Sequence, residues 1–114
     1  MRRGEVWLIS LSPTVGAEMQ KTRPAVIVSD DEVGILPLKI IVPITDWKDR
    51  YAQAPWMARL DPSPENGLSK VSAADAFQVR SVSEQRLLSR LGTLPVGLMD
   101  EIERALKAVL KLDR

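Results

Sequence analysis

Apolar residues fall in short bursts along most of this chain and at helical spacing only near its end. Glu5 to Leu11 reads Glu-Val-Trp-Leu-Ile-Ser-Leu behind Gly4, which predicts a strand with at least one buried face. Ser12-Pro13 stops it. From Ser12 to Thr22 there is neither a strand nor a helix period, so the segment reads as a loop of about eleven residues, a length that tends to be functional or mobile in small domains. Ala25-Val26-Ile27-Val28 is continuously apolar, as a strand covered on both faces would be, and Ser29-Asp30-Asp31-Glu32 closes it with turn residues. Lys39 to Ile44 predicts a third strand. Pro43 cannot donate to a ladder, so this strand should lie at an edge or break at a bulge.

Asp46 to Ala54 is polar and aromatic, after which Trp56 to Leu60 alternates and is stopped by Asp61-Pro62-Ser63-Pro64-Glu65-Asn66-Gly67. A further strand is expected near Ser72 to Val79, although three alanines and Asp75 suit it poorly. Ser81-Val82-Ser83-Glu84 carries the Ser-x-x-Glu spacing of a helix start and predicts a short helix to Leu88. Val96, Met99, Ile102, Leu106, Val109 and Leu110 recur three or four residues apart, with Asp100, Glu101, Glu103, Arg104 and Lys107 on the other face. That is an amphipathic helix opened by Pro95, acidic early and basic late, as its dipole favours. Strands followed by a helix, without strand-helix-strand alternation, predict a mainly β fold: a small antiparallel barrel or curled sheet packed against a C-terminal α-helix.

Composition narrows the chemistry. A length of 114 residues, 45% of them hydrophobic, suits one domain spanning 1–114 with its own core. There is no cysteine, which removes disulfides, zinc ribbons and thiol nucleophiles and fits a reducing compartment. Histidine is absent too, so the usual general base and metal ligand are missing, and any hydrolytic chemistry falls to Arg, Lys, Asp, Glu, Ser, Thr or Tyr51. With 16 Lys plus Arg against 15 Asp plus Glu, the net charge of +1 argues against electrostatic coating of nucleic acid, but a local cluster of cations would be invisible in that sum. Glu5 and Ser10 interrupt the first apolar stretch, leaving no signal-peptide core, and no run of about 18 apolar residues occurs. A soluble, cytoplasmic protein without membrane association is expected.

Several groupings are candidates for a site. In Thr22-Arg23-Pro24, Pro24 pushes Arg23 into an extended conformation at a strand entrance, where a planar, permanently charged fork suits a phosphate; a plain surface arginine is the alternative. Thr45-Asp46 offers a hydroxyl to a phosphate oxygen or merely starts a turn. Gln78-Val79-Arg80-Ser81 supplies an amide and a second cation, or cross-strand pairing. Trp47, Lys48, Arg50 and Tyr51 interleave aromatics with cations as single-stranded nucleic acid prefers, unless Trp47 folds back over the end of the barrel. Trp7 and Trp56 read as core or subunit contacts. Asp30-Asp31-Glu32 reads as a solvated turn rather than a metal site, and Gly4, Gly16 and Gly34 form no phosphate loop, so no metal and no cofactor is expected.

Taken together, these residues resemble the MazF/PemK toxin endoribonucleases of bacterial toxin-antitoxin modules. The resemblance runs through Arg3-Gly4-Glu5-Val6-Trp7-Leu8, Pro13-Thr14-Val15-Gly16-Ala17-Glu18, Thr22-Arg23-Pro24-Ala25-Val26-Ile27-Val28-Ser29 and Val42-Pro43-Ile44-Thr45. It resumes at Gln78-Val79-Arg80-Ser81-Val82, Arg86-Leu87 and Leu91-Gly92, and in the final helix, covering nearly the whole chain. It implies an SH3-like barrel, a homodimer, a cognate antitoxin, and metal-independent cleavage of single-stranded RNA by attack of the ribose 2′-hydroxyl on its own phosphate. Arg23 and Thr45 match the family's catalytic Arg and Thr, and Glu18 and Gln78 match RNA contacts. Gln20, Lys21, Trp47, Lys48 and Arg80 complete the candidate RNA-binding set.

One departure stands out: some members carry an acid, assigned as general base, at the position of Phe77. That leaves the base unassigned, with Asp75 and Glu18 as the nearby acids. Two other classes are open to the same fold, a noncatalytic poison of DNA gyrase and an inactive RNA- or antitoxin-binding module. The gyrase poisons end in Trp-Gly-Ile, whereas this chain ends Lys111-Leu112-Asp113-Arg114.

Overall fold

The computed structural model describes residues 1–112; Asp113 and Arg114 of the terminal tetrapeptide lie outside the described residues. The elements are β1 (Glu5–Ser10), β2 (Thr22–Ile27), β3 (Leu38–Asp46), β4 (Met57–Leu60), β5 (Ser72–Asp75), β6 (Arg80–Ser83), β7 (Leu87–Thr93) and α1 (Val96–Leu110), with short 3-10 segments at Asp49–Gln53, Ala76–Gln78 and Glu84–Arg86. All pairings are antiparallel, in the order β4-β5-β3-β2-β1-β7, with β6 also on β3. The fold is mainly β with one C-terminal helix, as expected, but the sheet curls without closing.

The open ends meet through a turn instead. The chain after β4 folds back so that Thr93 donates its N–H to the Glu65 carbonyl at 2.7 Å. A Cβ on Gly92 would collide with the Glu65 carbonyl, and one on Gly67 with the Leu91 carbonyl, so backbone touches backbone here and needs glycine. Fully buried Asn66 ties the turn: its amide donates to the Asp61 carbonyl at 2.8 Å and its oxygen accepts from the N–H of Leu68 at 2.9 Å.

Alternation along the strands builds two cores. One face of the sheet gives Val6, Val26, Val42 and Ile44 to a cluster closed by Leu60, Met99 and Ile102. The other gives Ile9, Ala25, Ile27 and Ile41 to a cluster closed by Leu11, Val82 and Leu87. Helix α1 buries Met99, Ile102 and Ala105, the two larger side chains contributing roughly 1.5–3 kcal/mol each. Arg3 clasps the helix to the sheet, pairing with Glu103 at 2.6 Å while also donating to the Val28 carbonyl.

Four expectations need correction. Val96 and Leu110 fit the helical spacing but are exposed, because they stand at the two ends of α1 and only its central turns, at Met99, Ile102 and Ala105, are buried. Pro43 lies in an interior strand: β3 leaves β6 after Ile41 and joins β5 from Ile44, and Pro43 falls in the gap, where no neighbour on that side needs its missing N–H. The strand begun at Ser72 ends at Asp75, whose carboxylate accepts the Phe77 N–H and starts a 3-10 turn. The expected helix from Ser81 is strand β6, one 3-10 turn and strand β7; Ser83, not Ser81, is the capping residue, accepting from Gln85 N–H.

Candidate active site

The β2–β3 register pairs Ile27 with Ile41 and Ala25 with Pro43; continued by two residues it sets Arg23 across from Thr45 on the same face. That face is core at one end and polar at the other. Pro24 holds Arg23 extended, the Gln20 carbonyl accepts from Arg23 Nε at 3.1 Å, and Arg23 Nη1 stands 3.5 Å from the Thr45 hydroxyl. The second terminal nitrogen has no partner among the described residues. A pocket of about 370 Å³ opens over the pair, with Lys21 on its near side and Gly67, Leu68, Ser69, Lys70 and Leu91 as its far wall. The close approach at Gly67 and Gly92 therefore positions that wall.

A neighbouring pocket of about 360 Å³ is lined by Leu11, the loop Ala17-Glu18-Met19, Pro43 and the run from Phe77 to Arg80. Here a chain of hydrogen bonds ties the long loop to the sheet. Asp75 accepts from the Phe77 N–H at 3.0 Å and from the Gln78 amide at 3.3 Å, and the Gln78 oxygen accepts from the Met19 N–H at 2.6 Å. Burial pushes the Asp75 carboxyl above its ordinary value, and the donors from Phe77 and Gln78 offset only part of this. Exposed Glu18 keeps one oxygen on the Val15 N–H at 2.7 Å; the other has no partner among the described residues.

Charge pairing elsewhere sharpens the picture. Arg2, Arg3, Lys39, Arg59, Lys70, Arg90 and Arg104 each have a carboxylate within ion-pair distance. Among the described residues Lys21, Arg23, Arg80 and Arg86 have none, and these four surround the long loop; Lys48, Arg50, Lys107 and Lys111, elsewhere on the chain, have none either. Arg80 reaches the Leu11 carbonyl at 3.3 Å, and Arg86 the Ser10 and Ser12 carbonyls at 3.1 and 2.8 Å. A near-neutral chain thus gathers four cations without carboxylate partners around the long loop, Lys21 and Arg23 in one pocket and Arg80 in the other.

The candidates sort accordingly. Arg23, Thr45 and Lys21 meet in the first pocket, with Gln20 contributing its carbonyl; Glu18, Gln78 and Arg80 meet in the second. Trp47 and Lys48 line neither. The Trp47 N–H donates to the Val71 carbonyl at 3.1 Å, the Arg59 guanidinium lies 5.4 Å from the centre of its ring, and Tyr51 meets that ring edge-on at 5.9 Å, so Trp47 packs between Arg59 of β4 and Tyr51. Trp56 is partly exposed rather than core, in an edge-on pair with Phe77 at 6.0 Å. Asp30 and Asp31 serve the turn, accepting the N–H groups of Glu32 and Arg3. Sequence reasoning missed Arg86, hidden inside the expected helix, and the wall at 67–70, whose signal was Asn66-Gly67.

Residues 2–110 match the model of a family described as the PemK-like, MazF-like toxin of type II toxin-antitoxin systems. The chain belongs to this family. Among PemK-like and MazF-like relatives, endoribonuclease MazF9 of Mycobacterium tuberculosis is 32% identical over 118 residues, covering 98% of each chain. Endoribonuclease PemK of Escherichia coli is 32% identical over 112 residues, covering 96% of this chain and 82% of its own. MazF of Deinococcus radiodurans shares the fold with a TM-score of 0.79 at 24% identity, over 97% of this chain and 96% of that one. A mycobacterial endoribonuclease solved in complex with its cognate antitoxin gives a TM-score of 0.77 at 21% identity, over 100% and 98%. Among the described residues, no helix of this MazF-like chain is long and apolar enough to cross a membrane.

Proposed function

We propose that this chain is a metal-independent endoribonuclease that cuts single-stranded RNA as the toxin of a type II toxin-antitoxin system. The observation that carries the reading is Arg23: a guanidinium with no carboxylate partner among the described residues, steadied by the Gln20 carbonyl beside the Thr45 hydroxyl. An anion is what such a fork lacks. Bound there, a phosphodiester has two of its oxygens met by Arg23 and Thr45 as the adjacent 2′-hydroxyl attacks phosphorus. The bond to the 5′-oxygen breaks, leaving a 2′,3′-cyclic phosphate and a 5′-hydroxyl.

Arg23 stabilises the added charge and does not act as the base, because a guanidinium stays protonated at neutral pH. Our choice of proton acceptor is Glu18. Asp75 has its oxygens occupied by Phe77 and Gln78, and Asp46 faces Lys70 with both of its oxygens, at 3.0 and 3.1 Å, whereas Glu18 has one with no partner among the described residues. The leaving oxygen is protonated by water. We further infer a homodimer in the cytoplasm, and a cognate antitoxin whose acidic or apolar tail lies against the cations around the long loop. A mycobacterial endoribonuclease of the same fold, solved in complex with its cognate antitoxin, supports the existence of such a partner.

The test is incubation of the purified protein with a long single-stranded RNA in EDTA, followed by mapping of the cut sites and typing of the new 3′ ends. Cyclic phosphates at a recurring short motif are expected. Intact RNA from folded protein, or 3′-hydroxyl ends, would overturn the reading.

A further inference from the structure

We infer that Phe77, braced by Trp56, is a stacking platform for a nucleobase that flanks the phosphate held at Arg23 and Thr45. The inference rests on the endoribonuclease reading and adds a subsite to it. Phe77 is 66% exposed, although burying a phenyl ring would contribute roughly 2 kcal/mol to folding. Its exposure does not come from a loose backbone. The Phe77 N–H is held by buried Asp75 at 3.0 Å, and the turn is closed by the Val79 N–H on the Ala76 carbonyl at 3.3 Å. The Trp56 ring meets Phe77 at 6.0 Å with the planes 77° apart, a contact that orients the phenyl ring without sandwiching it.

The ring forms part of the same pocket as Arg80, Gln78 and Glu18. That pocket also contains Pro43. Thr45 lies two residues further along β3, on the same face and in the Arg23 pocket, so a residue of each pocket stands about 7 Å from the other along the strand. An ordered aromatic face beside an uncompensated guanidinium combines stacking with phosphate attraction, the pair of contacts by which proteins hold single-stranded nucleic acid. A broad apolar protein surface fits this rim less well. Covering it with an apolar surface would bury Arg80, which has no carboxylate among the described residues, at a high desolvation cost.

The test compares wild type with Phe77→Ala, Phe77→Tyr and Phe77→Trp for affinity to a 2′-O-methyl copy of the mapped cleavage motif, which binds but cannot be cut. A second series replaces each base of that probe in turn by an abasic site. Because Phe77 is exposed, unchanged melting temperatures are expected. Phe77→Ala should weaken binding about 5- to 150-fold, and the aromatic variants should restore most of it. With one particular abasic probe, Phe77→Ala should make no further difference, an outcome that a purely structural role would not give. Equal affinity of wild type and Phe77→Ala for the intact probe would overturn the inference while leaving the endoribonuclease reading standing. So would a defect confined to self-association or antitoxin binding, which would make this a protein-protein face. Wild type that neither binds nor cuts RNA would overturn both.

Discussion

The Arg23 guanidinium stands 3.5 Å from the Thr45 hydroxyl, at the outer limit of a hydrogen bond, while its Nε is held at 3.1 Å by the Gln20 carbonyl. The fork is thus anchored at its base and slack at its tip. The oxygens of a phosphate can take up the slack from the two donors, and a site that tightens only around the reacting group stabilises the transition state more than the ground state.

Thr45→Val keeps the shape of the side chain and removes the donor. Cleavage should fall about 10²-fold, the usual effect of losing one donor to a developing oxyanion, with the melting temperature little changed. Arg23→Lys keeps the charge but loses the fork and should be nearly as impaired as the alanine variant. Single-turnover cleavage rates check both.

Asp75 yields a pH prediction. Burial holds its carboxyl above the ordinary value of 3.8, so the folded state favours the protonated acid. Its contribution to stability is fully present below the unfolded value and is lost as pH rises through the folded one. Asp75→Asn does not titrate, so its melting temperature relative to wild type should rise between about pH 3 and pH 7. An offset that is the same at both ends of that range would contradict the assignment. Cleavage should fall nonetheless. The asparagine oxygen can serve the Phe77 N–H, but its amide then faces the Gln78 amide and loosens the bond to Met19.

Glu5 has the opposite sign. Burial alone would raise its carboxyl, but the Arg2 N–H, the Trp7 indole at 2.9 Å and the N-terminal ammonium at 3.4 Å outweigh this and hold it below 4.5. The stability it confers is present above the unfolded value and is lost as pH falls through the folded one. Glu5→Gln should therefore cost about 1–3 kcal/mol at neutral pH, and the cost should shrink in acid below the ordinary carboxylate range. Denaturant titrations at the two pH values measure it.

Two glycines separate backbone contact from open space. Gly92→Ala drives a methyl into the Glu65 carbonyl and should destabilise by about 1–3 kcal/mol while opening the wall of the Arg23 pocket. Gly97, in the first turn of α1 with nothing near its added Cβ, should gain about 0.5–1 kcal/mol on becoming alanine. Thermal unfolding of the two variants in opposite directions is the expected result.

The parts of this fold legible in the sequence are those written as local pattern. Met99 and Ile102 mark the buried face of α1, and Ala25 to Val28 mark a strand covered on both sides. Strand β7 was illegible because Ser81-x-x-Glu84 mimics a helix start, and because Leu88, 54% exposed, blurs the alternation. Arg23 and Thr45 were each legible as phosphate-binding types. Their meeting depends on the β2–β3 register, which no local pattern encodes. The same holds for Gln78: its side chain was a candidate RNA contact, but its grip on the Met19 backbone depends on where a loop 59 residues away returns.

The most direct test of the central claim is Arg23→Ala, measured two ways on one RNA motif: single-turnover cleavage, and affinity for the uncleavable 2′-O-methyl copy. Cleavage should fall by about 10²- to 10³-fold while affinity changes by less than tenfold, because Arg23 acts chiefly on charge that develops during the reaction. Unchanged cleavage, or equal losses in rate and affinity, would contradict the account.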